Sequence, residues 1–112
     1  MFADNGRMNT IVAFCTCPDE AVAERIAAAL VEEHLAACVN RIPGIISTYR
    51  WQEEVHRDNE VLLLIKTRRE RFEALRERIV ELHPYELPEV IAVDIALAHG
   101  PYLDWIARET AG

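Results

Sequence analysis

The residues able to do chemistry in this chain fall into two short stretches. His83-Pro84-Tyr85-Glu86-Leu87-Pro88-Glu89 carries an imidazole, a phenol, two carboxylates and two prolines within seven positions. Upstream, Phe14-Cys15-Thr16-Cys17-Pro18 offers two thiols two residues apart. Thiolate and imidazole are good ligands for copper and zinc. The prolines fix φ at two places and push His83 and Leu87 towards extended backbone, so the loop presents its side chains stiffly. The same stiffness would serve a loop that only stops a helix, and the residues alone leave both readings open. Cys15 and Cys38 also read as small core hydrophobes. Cys17 would share a side with Cys15 if the strand reaches it, but Pro18 can end that strand early.

These side chains need elements to hold them. Thr10 to Thr16 is short, apolar and β-branched, and predicts a buried strand. Pro18-Asp19-Glu20 opens a helix whose stripe Val22, Ile26, Leu30 predicts a run to about Leu35. Ala36 to Trp51 predicts one long strand with a kink or bulge at Pro43-Gly44. Gln52-Glu53-Glu54 turns the chain back into a strand ending in Val61-Leu-Leu-Leu-Ile65, a run expected to be buried on both faces. Phe72, Leu75, Ile79 and Leu82 mark a second helix, with Arg69 spaced to pair with Glu73. A fourth strand is expected from Val90 to about Leu97, and a short helix from Tyr102 to Arg108. His34, His56 and His99 belong to no motif and read as surface or capping residues.

The order βαββαβ plus a terminal helix predicts an α+β fold of ferredoxin-like type, an antiparallel sheet with helices on one face. The central hairpin is the exception to small-domain proportions. At ~3.3 Å per residue an arm of about a dozen residues spans roughly 40 Å. Ile45, Ile46, Tyr49 and Trp51 on such a ribbon would leave apolar area and strand edges uncovered, and pairing with other copies is the simplest remedy. Hairpin length therefore predicts a closed homo-oligomer.

The chain has 112 residues, of which 51% are apolar and 28% charged, as expected of one ordinary globular domain. Residues 1–9 read as a flexible tail and 10–112 as the domain. With 19 acidic residues against 12 basic, the net charge of −7 opposes nucleic-acid binding. No segment approaches the ~20 apolar residues of a membrane span, and the start has no secretory pattern. Three cysteines are an odd number, which favours reduced thiols and a cytoplasmic protein over a disulfide framework. No nucleophile elbow, phosphate-cradling loop, HExxH or CxxC is present, so no enzyme is expected.

Six blocks in order resemble the CutA divalent-cation tolerance proteins. They are Phe14-Cys-Thr-Cys-Pro-Asp-Glu20, Leu35-Ala-Ala-Cys-Val-Asn40 with Ile42-Pro-Gly44, Tyr49-Arg-Trp51, Glu60-Val-Leu-Leu-Leu-Ile-Lys-Thr67, His83-Pro-Tyr-Glu-Leu-Pro-Glu89 and Tyr102-Leu-Asp-Trp105. The resemblance covers nearly all of Ile11 to Ile106. It implies a ferredoxin-like protomer in a compact trimer shaped like the PII signalling proteins. It also implies a cytoplasmic protein associated with copper and other divalent cations.

The family's copper site carries over to Cys15 and His83. Leu82 stands where some relatives carry a second His. Two protein ligands are too few for a closed site, so water or a neighbouring subunit would complete it. The trimer implied by the resemblance also brings Trp51, Lys66, Tyr85 and Glu86 to an inter-subunit cleft. That cleft reads either as interface packing, with Lys66 paired to Glu86, or as a pocket for a small ligand in a PII-like regulator or scaffold, which could equally take a protein partner.

Overall fold

The computed structural model describes residues 9–111. The expected tail therefore lies, except for Asn9, outside the described residues. The observed order is β1 (Thr10–Cys17), α1 (Glu20–Glu32), β2 (Cys38–Trp51), β3 (Glu54–Arg68), a 3-10 turn (Arg69–Arg71), α2 (Phe72–Leu82), β4 (Ile91–Asp94) and α3 (Gly100–Glu109). The four strands form one sheet in the order β2-β3-β1-β4, and every neighbouring pair is antiparallel. This is the ferredoxin-like α+β arrangement that the element order predicted.

Strand alternation divides the sheet into two unlike faces. Ala13, Cys15 and Cys17 of β1 sit opposite Ile65, Leu63 and Val61 of β3. All six are buried in one core with Val22, Ile26 and Leu30 of α1 and Leu75 and Ile79 of α2. The opposite face carries Val12, Phe14, Leu62 and Leu64 from the central strands, and among the described residues no helix covers its middle. Leu62 and Leu64 are accordingly only half-buried. The expectation that Val61–Ile65 would be buried on both faces is corrected here, because both long helices pack on one side of a single chain.

Helix α1 starts where Asp19 accepts the Val22 amide at 2.9 Å, a cap worth ~1 kcal/mol. It stops at Glu32, short of the predicted Leu35. The Leu35 amide folds back to the Leu30 carbonyl (2.9 Å) and the His34 amide to Val31 (3.1 Å), with His34 at φ +60°. This is a Schellman stop built on histidine instead of glycine, which apolar periodicity could not reveal.

The long hairpin turns at Gln52 and Glu53, both at positive φ (50° and 69°), as a two-residue turn requires. Glu54 already belongs to β3 and pairs with Trp51. The predicted irregularity at Pro43-Gly44 is a β-bulge. Ile42 pairs with Leu62 and Ile45 with Glu60, leaving two residues opposite Val61 alone. Gly44 takes φ +81°, and a Cβ there would meet nothing within 4 Å. The glycine is therefore needed for backbone freedom and not for space. The bulge also exchanges faces: beyond it Ile45, Ser47, Tyr49 and Trp51 continue the helix-free face.

Two further details differ from expectation. Arg69 pairs with Asp94 on β4, while Glu73 takes Arg76 one turn further along α2. Strand β4 ends at Asp94, because Ile95 turns into a small second core with Ala37, Leu103, Trp105 and Ile106 under α3. The C-terminus of α3 is held by donors from three elements. His34 Nδ1 lies 2.9 Å from the Glu109 carbonyl, and Arg68 and Arg71 both donate to the Thr110 carbonyl (2.7 and 2.6 Å).

Candidate metal centre and adjoining groove

Strand β1 continues through Cys17 before Pro18 ends it, so Cys15 and Cys17 both point to the helix-covered face. The α2-to-β4 loop brings His83 to the same place. One ligand atom from each of Cys15, Cys17 and His83 lies within 4.8 Å of the others, and all three residues are buried. Geometry thus adds Cys17 to the pair expected from the sequence. Cys38 is half-buried and stands apart, 4.0 Å from the Asn40 side-chain oxygen.

The neighbours set the charge state of this cluster. The hydrogen bond from Cys15 lowers the Cys17 thiol to about 6 from 9.0, with burial opposing and the His83 contact assisting. Cys15 moves the other way, raised first by that shared hydrogen bond and then by burial. Burial opposes a charge on His83, but the Cys17 contact and the Thr16 carbonyl outweigh it and leave its pKa raised. The donors are soft and one thiol ionises readily. That set fits copper or zinc, whose thiol ligands must be deprotonated.

His83 is held at both ring nitrogens. Nε2 lies 2.7 Å from the Thr16 carbonyl, and Nδ1 receives the Tyr85 amide at 3.2 Å. The Tyr85 ring packs at 4.6 Å between centroids from the His83 ring. Its hydroxyl donates to Glu60 Oε2 at 2.6 Å, and Glu60 is only 7% exposed. Burial and then the Glu60 carboxylate push the phenol upward.

Tyr85 and Glu60 also line an open groove of about 630 Å³, with Thr16, Ser47, Thr48, Tyr49, Arg50, Trp51, Glu86, Leu87 and Glu89. Of the cleft residues read from the sequence, Trp51, Tyr85 and Glu86 meet here within one chain. Lys66 does not. It lies further along β3, where within the single chain its ammonium bonds the Asn40 side chain. Sequence reasoning missed Glu60 and Tyr49. The available signal was Glu60 itself, an acid at the head of an apolar run. Tyr49 reaches the groove because the bulge at Gly44 turns it to this face, where it stacks on His56 at 5.5 Å and bonds Asp58.

Comparison with known proteins places these features in a family. The CutA1 divalent ion tolerance protein family matches residues 11–109. The divalent-cation tolerance protein CutA of Thermus thermophilus is 54% identical over 99 residues, covering 88% of this chain and 96% of that protein. Human protein CutA is 48% identical over 98 residues, and there the match spans 55% of the relative's length. The crystal structure of CutA from Xylella fastidiosa superposes with a TM-score of 0.89 at 46% identity, covering 91% of this chain and 98% of that one. With its fold, the six sequence blocks and the family match in agreement, the chain belongs to the CutA1 divalent ion tolerance family.

Proposed function

We propose that this protein binds copper, or another divalent cation of similar softness, through Cys15, Cys17 and His83, and serves divalent-cation tolerance without catalysing a reaction. The supporting observation is the convergence of three buried donor atoms within 4.8 Å. Two thiols and an imidazole make three protein ligands, one more than the sequence suggested, and Leu82 is not required. The family's name for its members points the same way. Among the described residues no helix is long and apolar enough to cross a membrane. All three cysteines are free, which suits the reducing cytoplasm. Copper titration of the reduced protein, purified without an affinity tag, tests the reading. One equivalent is expected to bind the parent, and Cys15→Ala, Cys17→Ala and His83→Ala are each expected to lose it. Variants that bind as the parent does would refute the site.

The working unit is a homotrimer in this reading. Its support is the helix-free sheet face, where Ile91 (56% exposed) and Val93 (52%) extend the apolar strip of Val12, Phe14, Leu62 and Leu64. An apolar strip of this kind on an otherwise charged protein calls for a covering surface. Three copies closing on it also match the length of the hairpin in a molecule 48 Å long.

A second reading rests on the groove. Aromatic walls of Tyr49, Trp51 and Tyr85 around a few polar groups suit a small ligand, as in a PII-like regulator or scaffold. A melting shift with a small ligand that Trp51→Ala abolishes would favour it. Lys66→Ala is expected to leave that shift intact, because Lys66 is not in the lining.

A further inference from the structure

One stiff loop supplies His83 to the metal cluster and Tyr85 to the groove, and the placement of the proton on His83 links them. The Thr16 carbonyl can only accept, so Nε2 carries the ring proton; the Tyr85 amide can only donate, so Nδ1 offers its lone pair. A neutral imidazole has one N–H and one lone pair, and both are in use. Suppose a metal takes Nε2. The proton must then sit on Nδ1, where it faces the Tyr85 N–H, donor against donor. Suppose instead the metal takes Nδ1. The Tyr85 N–H then loses its acceptor outright. Either route breaks the bond between the Tyr85 amide and His83.

Tyr85 cannot yield at its backbone without consequence at its ring. The ring rests on His83, and the hydroxyl is tied to the buried Glu60 carboxylate in the groove floor. We infer that metal loading at His83 and the shape of the Tyr49–Trp51–Tyr85 groove are coupled through Tyr85, so that the groove keeps its present shape when the metal is absent and is remodelled when it is bound. The inference rests on the metal reading above. Coupling of this kind is reciprocal: whatever locks Tyr85 against Glu60 weakens metal binding, and whatever frees it strengthens metal binding. Tyr85 is thus a positioning residue for His83 and not a ligand.

Zinc serves as the probe, because it is redox-silent beside two thiols. The chain has two tryptophans, Trp51 and Trp105, so a Trp105→Phe background leaves Trp51 as the sole reporter in the groove. Zinc is expected to change Trp51 emission in step with the binding isotherm measured by calorimetry, and His83→Ala is expected to abolish both. Tyr85→Phe keeps the amide and the ring but releases Glu60, and is expected to bind zinc at least about tenfold more tightly, the low end of the worth of one hydrogen bond to a charged group. Glu60→Gln weakens the same anchor and is expected to move affinity in the same direction. His83-dependent zinc binding with unchanged Trp51 emission, and equal or weaker affinity in both variants, would overturn the coupling while leaving the metal site standing. Absence of zinc binding in the parent would overturn both.

Discussion

Cys15 and Cys17 sit two residues apart on one buried face of β1, and a hydrogen bond between them drives their thiols in opposite directions. Cys17 falls to about 6, chiefly through that bond, while Cys15 rises. A spectrophotometric titration of the folded apo protein should therefore show one thiolate forming near pH 6. Cys17→Ser should remove that step and Cys38→Ser should keep it. A first thiolate step near 9 in the parent would contradict the assignment. The stability consequence has a definite sign. Between pH 6 and 9 the unfolded chain holds the Cys17 proton that the folded chain has lost, so the contribution of Cys17 grows with pH and is complete above 9. Cys15 contributes in full below 9.0 and loses that contribution as pH climbs beyond it. Melting temperature should rise with pH across the lower window, and Cys17→Ser should flatten the rise.

Metal binding should follow the same ionisation. A cation must compete with the Cys17 proton, so affinity is expected to drop as the pH is lowered through about 6. At a hundredfold excess over its dissociation constant, a metal that binds only the folded chain adds about 2.7 kcal/mol of stability. Thermal melts with and without copper, repeated after a chelator, should show the gain and its removal. A copper-independent melting temperature would count against the site.

The helix-free sheet face should assemble. Light scattering of the parent is expected to give three times the 12.8 kDa chain mass. Ile91→Glu and Val93→Glu change residues that are exposed in the single chain, so the fold should tolerate them while the assembly falls apart. A parent of monomer mass would remove the case for the trimer.

Gly44 fixes the bulge through its φ of +81°. Gly44→Ala places an L side chain in the left-handed region at a cost of roughly 1–2 kcal/mol, with no steric clash to add to it. Denaturant unfolding should report that loss, and Gly44→Asn should lose less, since Asn visits this region more easily. The groove should suffer as well, because the bulge is what turns Tyr49 and Trp51 to their present face.

The end of α3 provides an independent test of how the fold closes. Arg68 donates to both the hydroxyl (2.8 Å) and the carbonyl (2.7 Å) of the fully buried Thr110. Arg68→Met keeps the aliphatic stem but removes both donations, leaving the carbonyl to Arg71 alone and the buried hydroxyl without its donor, at a cost of about 1–3 kcal/mol. Amide exchange in α3 should accelerate while α1 remains protected. Uniform acceleration would mean that α3 is no separate unit.

Much of this architecture was legible in the chain. The apolar stripes at Val22-Ile26-Leu30 and Leu75-Ile79 named the faces that became the core. Pro43-Gly44 marked the bulge, and the polar break at Gln52 marked the hairpin turn. These signals are local, since periodicity and backbone restriction act within a few residues. The stop of α1 was not legible, because His34 takes the left-handed position that glycine usually marks, and its imidazole meets the carbonyl of Glu109, 75 positions away.

By itself the sequence determined the element order, the buried stripes and the two reactive stretches, because those follow from side-chain type and spacing. Only the tertiary structure decided which donors meet. Cys17 joins Cys15 and His83 because β1 holds its pleat to the last residue, and Lys66 leaves the groove because β3 carries it to the far end of the sheet. Register and crossover set such distances, and a strand that shifts by one residue sends every side chain to the opposite face.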